Sequence, residues 1–236
     1  NLKNGMVPLK LDEFLSTIKG LHEQLNLETV RLTGGEPLLF KDILPLITQI
    51  KAMGIPHVGL TTNGYYLKHL AVKLKRAGLD TINVSLDALD DALFKKMTRK
   101  PLLSQTLEGI KTALRYGFAL KINAVILKGM NENQIIPLIE FAKANEIPIR
   151  FLELMKMGYL HYNYKMYFFS LLKQINLCLS NHSQIIITNF NFFSGFTSSK
   201  IFNVVIATFP FFESYNQKII SKFHLCLNMT DYLVYH

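Results

Sequence analysis

"ETVRLTGGEPLLFKDILPLITQIKAMG", residues 28–54, passes from a short alternating segment through a glycine pair into a helical pattern and stops at another glycine. Adjacent Gly34 and Gly35 suit a tight strand-to-helix turn, with Pro37 and the apolar Leu38, Leu39 and Phe40 opening the next helix. The same glycines would let the backbone approach a ligand closely, and Glu36 offers a carboxylate to a cation. Both readings stay open on this stretch alone.

The unit recurs on either side. "PHVGLTTNG" precedes the helical "YLKHLAVKLKRAG", "DTINVSLDA" precedes "DDALFKKMTR" and "SQTLEGIKTALRYG", and "ALKINAVILKG" precedes "NENQIIPLIEFAKANE". "IPIRFLELM" closes the series as a fifth strand, and one helix, about Asp12 to Leu25, comes ahead of the first. Helix faces follow the 3.6 period, as in Leu70, Leu74 and Ala77, or Leu107, Ile110, Ala113 and Leu114. Strands alternating with helices at this spacing predict βαβ crossovers and a parallel sheet, an α/β fold.

After Met157 the texture changes. Of 26 Lys+Arg and 17 Asp+Glu in the 236 residues, only Lys165, Lys173, Lys200, Glu213, Lys218, Lys222 and Asp231 fall in 158–236. That stretch has no arginine, two glycines for turns, and a heavy load of Phe, Ile, Asn, Ser and Tyr. It lacks punctuation and the charged face that keeps a domain in solution. The expectation is two parts: 1–157, a barrel-type core, and 158–236, an apolar tail from a frameshift or read-through, with a genuine β-rich segment as the alternative.

At 49% hydrophobic and 18% charged the composition is that of a globular protein, and the net charge of +9 is compatible with a polyanionic partner. No charged-then-apolar leader is visible, and no uncharged apolar run reaches the roughly 18 residues of a membrane span. Cys178 and Cys226 form no C-x2-C pair. A cytoplasmic protein with no membrane partner and no disulfide scaffold is expected.

Strands covered on both faces should read as continuous apolar runs. Here Thr81, Asn83, Ser85 and Asp87 alternate with Ile82, Val84 and Leu86, Lys121 and Asn123 alternate with Ile122, and Arg31 and Thr33 flank Leu32. One face therefore packs on helices while the other carries polar and cationic groups. An inward cation needs a partner, so Arg31 and Lys121 read as anion contacts. Ser85 or Thr61 alone could be a turn hydroxyl, and Asp87 the cap of the helix that follows. In β/α barrels ligand groups gather at the carboxyl ends of the strands, where "GGE", "TTNG", "SLD" and "ELM" all fall.

"RLTGGEPLL", "GLTTNG", "INVSLDALDDALFKKMTR", "KINAVILKGMNENQ" and "RFLELMKMG", in this order over about residues 10–158, resemble the GTP 3',8-cyclases of molybdenum cofactor biosynthesis, within the radical S-adenosylmethionine enzymes. The resemblance implies an incomplete (β/α)6 radical-SAM barrel missing its first strand. It implies that Gly34, Gly35, Glu36, Ser85 and Met155 hold S-adenosylmethionine, and that Arg31, Thr61, Lys121 and Arg150 contact GTP. In such enzymes a [4Fe-4S] cluster reduces S-adenosylmethionine, and the 5'-deoxyadenosyl radical takes the C3' hydrogen of GTP before C3' bonds to C8. Cyclic pyranopterin monophosphate synthase is the implied pathway partner, a homodimer is open, and no nucleic-acid partner is implied.

The chain departs from the family in its cysteines. The cluster set C-x3-C-x2-C, three thiolates leaving the fourth iron for S-adenosylmethionine, has no counterpart before Cys178, and a second family triad near the C-terminus is also missing. The first strand and its loop are expected just upstream of Asn1, and Thr29 stands where the family has a phosphate-binding lysine. These 236 residues are expected to be inactive as they stand and to expose an unpaired strand edge. A non-catalytic nucleotide-binding remnant, or a different radical enzyme such as a peptide-modifying one, are the alternatives.

Overall fold

A computed structural model describes residues 10–152, 154, 165–169, 204–207 and 224–228, the last two segments by their backbone. Among these, helices α1 (Leu11–Leu25), α2 (Ile43–Ala52), α3 (Leu67–Arg76), α4 (Asp91–Thr98), α5 (Leu103–Arg115) and α6 (Ile135–Ala144) alternate with strands β1 (Thr29–Thr33), β2 (His57–Thr62), β3 (Thr81–Ser85), β4 (Ala119–Val125) and β5 (Ile149–Leu152). Two further strands, β6 (Val204–Ala207) and β7 (His224–Asn228), come from the tail. The paired strands run parallel, as the βα repeat requires.

The chain divides into two compact units, Asn1–Val84 with Ser104–Leu120 and Ser214–His236, and Ser85–Leu103 with Lys121–Glu213. In the first, the strand order is β7-β1-β2-β3. One sheet face, Val30, Leu32, Val58, Leu60, Ile82 and Val84, is fully buried. The helices supply matching stripes at helical spacing: Ile43, Leu46, Ile47 and Ile50 from α2, and Leu67, Ala71 and Leu74 from α3. Burying each of the larger side chains contributes about 1.5–3 kcal/mol, so these stripes fix which way the sheet faces. In the second unit Ile122, Ala124, Ile149 and Phe151 are buried along with Ile135, Leu138, Ile139 and Ala142 of α6.

The amino ends of the first unit's strands are tied by one carboxylate. Asp80 Oδ2 accepts from the Val58 backbone N–H at 2.7 Å and from Lys51 Nζ at 3.2 Å, while Lys51 also donates to the Pro56 carbonyl at 2.6 Å.

Three expectations change. Pro37 opens a 3-10 turn, Pro37–Leu39, and α2 starts only at Ile43. Asp87 does not cap α4, because Asp90 does, its Oδ1 accepting the Leu93 N–H at 2.8 Å. The β1 edge is not unpaired: β7 lies parallel to it over its whole length, from Thr29 opposite His224 to Thr33 opposite Asn228. In the second unit β6 pairs with β5 in the same sense, and the Lys128 N–H donates to the Tyr167 carbonyl at 2.9 Å. No helix among the described residues is long and apolar enough to cross a membrane.

Candidate functional site

The polar faces expected from the alternation are present in both units. In the first, β1, β2 and β3 place Arg31, Gly59 and Thr81 side by side, with Thr61 beside Asn83 in the next row. Arg31, Thr33, Thr61 and Thr81 are half-buried, whereas their apolar neighbours in sequence are sealed. The Arg31 guanidinium crosses β2, and its Nη2 donates to Thr81 Oγ1 at 3.4 Å.

The glycine pair ends β1. Gly34 has φ 141°, a region that a side chain makes costly, so the turn depends on glycine there. Glu36 is buried and knits the turn to the end of β2. Its Oε1 accepts from Thr62 Oγ1 at 2.7 Å and from the Leu38 N–H at 3.1 Å, and its Oε2 accepts from the Asn63 N–H at 2.8 Å. Burial pushes the Glu36 carboxyl above its ordinary value even against these three bonds. A desolvated carboxylate of this kind is relieved by a nearby ammonium, and Oε2, with a single bond, keeps acceptor capacity for one.

The "TTNG" turn is held in turn by α5. Thr106 Oγ1 donates to the Asn63 carbonyl at 3.2 Å, and Gly109 faces the Gly64 carbonyl so closely that any Cβ would collide with it.

In the second unit, Lys121 and Asn123 share a face of β4, and Arg150 on β5 is in register with Asn123. Lys121 and Ser85 are exposed and Arg150 is half-buried. Asn123 Oδ1 is buried with no hydrogen-bond partner among the described residues. A buried orphan acceptor beside two cationic positions fits a ligand that carries both an anion and a donor. Beyond Ser85, the Val125 N–H donates to Asp87 Oδ1 at 2.8 Å, and desolvation raises the Asp87 carboxyl to about 6. Asn131, fully buried, donates from Nδ2 to the carbonyls of Asp87 at 2.8 Å and Val125 at 2.9 Å, and accepts the Leu127 N–H at 2.7 Å. Gln134 Oε1 accepts the Leu89 N–H at 2.9 Å.

Of the residues singled out from the sequence, Arg31, Gly34, Gly35, Glu36 and Thr61 thus belong to the first unit and Ser85, Lys121 and Arg150 to the second, while Met155 lies outside the described residues. Gly59, Thr62, Thr81, Asp87, Asn131 and Gln134 are additional participants. Thr81 and Asp87 were legible as polar positions of the alternation over 81–87, and Gly59 as a glycine inside an otherwise regular strand, whereas Thr62, Asn131 and Gln134 left no signal.

A family model for the radical SAM superfamily matches residues 2–142, and the chain belongs to that superfamily. Within it, the chain is 44% identical over 148 residues to a GTP 3',8-cyclase of Staphylococcus epidermidis, covering 62% of this chain and 44% of that protein. A GTP 3',8-cyclase of Staphylococcus aureus is 44% identical over 152 residues, 64% of this chain and 44% of that one. The chain therefore spans less than half the length of these curated relatives. Among solved structures, Streptococcus suis SuiB bound to S-adenosylmethionine superposes with a TM-score of 0.58 at 18% identity, over 88% of this chain and 45% of that one. Methylornithine synthase gives 0.56 at 16% identity, over 91% and 68%. At these identities the likeness is one of fold, and it agrees with the parallel α/β architecture read from the repeat.

The superfamily implies an iron–sulfur cluster as well as S-adenosylmethionine. Glu36 and the Gly34 turn fit the latter's ammonium. The cluster is not fitted: the described residues hold no group of three or more His, Cys, Asp or Glu able to take a metal, and the sequence has no C-x3-C-x2-C.

Proposed function

We propose that this chain is the nucleotide- and S-adenosylmethionine-binding part of a GTP 3',8-cyclase, the enzyme that makes (8S)-3',8-cyclo-7,8-dihydroguanosine 5'-triphosphate at the start of molybdenum cofactor biosynthesis. The observation that carries it is that otherwise regular strands of each unit carry cations, Arg31 on β1 in the first and Lys121 on β4 and Arg150 on β5 in the second, each at a position that alternates with buried apolar residues. Half-buried arginines and an exposed lysine on such strand faces favour a polyphosphate, and the similarity to named GTP 3',8-cyclases supports GTP over other polyphosphates.

In this reading Arg31, Thr61, Lys121 and Arg150 contact GTP. The Gly34–Gly35 backbone and Glu36 receive the amino group of S-adenosylmethionine, with Ser85 and Met155 completing its site. Bound S-adenosylmethionine would supply a radical precursor; the chain's own part is to bind, orient and keep water from the two ligands. Cyclic pyranopterin monophosphate synthase would take the next step of the pathway.

With two isolated cysteines in the chain, these residues cannot ligate the cluster through three thiolates. That favours a second reading for the 236 residues taken alone, a nucleotide-binding barrel segment without catalysis, with 158–236 a tail foreign to the family. Equilibrium dialysis against GTP tests the binding claim. GTP is expected to bind, and Arg31→Ala and Lys121→Ala are each expected to weaken it at least about tenfold, the worth of a charge-assisted contact. No binding by the wild-type chain would refute the nucleotide site. Retention of GTP by both variants would refute the cations' role and favour a different radical enzyme.

A further inference from the structure

The row across β1, β2 and β3 reads cation, bare backbone, hydroxyl: Arg31 is in register with Gly59, and Gly59 with Thr81. A Cβ on Gly59 would come within 2.8 Å of Arg31 Cζ, Nη1 and Nη2 alike. Equal approach to three atoms of one planar group means that the guanidinium lies flat over Gly59 instead of meeting it edge-on. At its far edge Nη2 donates to Thr81 Oγ1 at 3.4 Å. Gly59 sits inside β2 and is not among the glycines with positive φ, so the backbone itself does not require glycine. A glycine inside a strand weakens it and marks the close approach of another group. Here that group is the guanidinium.

Resting on the nucleotide reading above, we infer that Gly59 is a specificity-determining position: the space over its Cα seats the Arg31 guanidinium flat across β2, with Thr81 holding its far edge. The planar fork is then ordered before a polyphosphate arrives. An arginine that must be immobilised on binding loses rotamer freedom at that moment, whereas one seated during folding has already done so. The three atoms nearest a methyl group at position 59 all belong to the far end of a flexible side chain. The guanidinium would swing away and the strand would stay as it is.

The test compares GTP with guanosine by calorimetry, since their affinity ratio isolates the phosphate-dependent part of binding. Wild-type protein is expected to prefer GTP. Gly59→Ala should cut the ratio about tenfold and Thr81→Val about threefold, the scale of a displaced charged contact and of one lost neutral acceptor. Thr81→Ser should restore it, and guanosine affinity and melting temperature should hold in all variants. In an Arg31→Ala background Gly59→Ala should have no further effect, because the seat acts only through the arginine.

If Gly59→Ala keeps the ratio while Arg31→Ala loses it, the seat is refuted. A further drop in the Arg31→Ala background would also refute it, by showing that Gly59 acts on something else. If Gly59→Ala lowers the melting temperature, Thr81→Val and Thr81→Ser decide in its place. A wild-type chain that binds GTP no better than guanosine overturns the nucleotide reading itself, and this inference with it.

Discussion

Asp87→Asn is expected to stabilise the protein at neutral pH and to leave it nearly unchanged in mild acid. The Asp87 carboxyl accepts one hydrogen bond, from the Val125 N–H, and burial raises it from an ordinary 3.8 to about 6. Between those two values the folded chain holds a proton that the unfolded chain has released. Wild-type stability therefore falls as pH rises from about 4 to about 6, and above that range the ionised group carries the whole penalty. The difference between the two values corresponds to about 3 kcal/mol. Asparagine keeps an oxygen for Val125 and never ionises, so it escapes the penalty; the charge-assisted bond to the N–H is already contained in the net value of about 6. Urea unfolding of both forms from about pH 4 to 7 should give curves that lie close together at the acid end and separate by about 3 kcal/mol at neutrality. A gap that is constant with pH, or a wild type that gains on the variant as pH rises, would refute a desolvated Asp87.

Other substitutions test the packing and the turns. Gly109→Ala drives a methyl group into the Gly64 carbonyl and should cost about 1–3 kcal/mol or more, read as a drop in melting temperature. Gly20→Ala, in α1 with nothing within 4 Å of the added Cβ, should instead raise stability by about 0.5–1 kcal/mol in the same assay. Glu36→Gln turns an N–H2 toward one of three donors and should cost about 1–3 kcal/mol of stability, read as a lower urea midpoint at unchanged m. Asp80→Ala leaves the Val58 N–H and Lys51 short of an acceptor and should cost about 1–2 kcal/mol by the same measure.

The alternation of polar and apolar residues in "TINVS" and "VRLT" was enough to tell the two faces of each strand apart, because a period of two maps directly onto a sheet. Helix stripes were legible for the same reason, although Leu70 and Ala77 turned out to flank the buried line of Leu67, Ala71 and Leu74. Contacts that join distant segments were not legible. The bond from Asp87 to Val125 and the reach of Thr62 to Glu36 span 38 and 26 positions, and no local pattern encodes them. Asp87 looked like a helix cap because it precedes α4, yet the carboxylate that caps lies three residues later at Asp90. The pairing of β7 with β1 was hidden more deeply, since a strand from residues 224–228 joins one from 29–33 only if the sheet already exists. Gly59 was visible as a letter, but its meaning required Arg31 to be seen lying over it.

The claim that this chain is a piece of a GTP 3',8-cyclase is tested most directly by sequencing its gene with several hundred flanking bases on each side, translated in all three frames. The account predicts a C-x3-C-x2-C motif shortly before the codon for Asn1, and a cysteine triad in a shifted frame after about Met157. An intact reading frame that begins near Asn1 and ends at His236, with neither motif in the flanks, would contradict it and leave a nucleotide-binding segment as the whole of the protein.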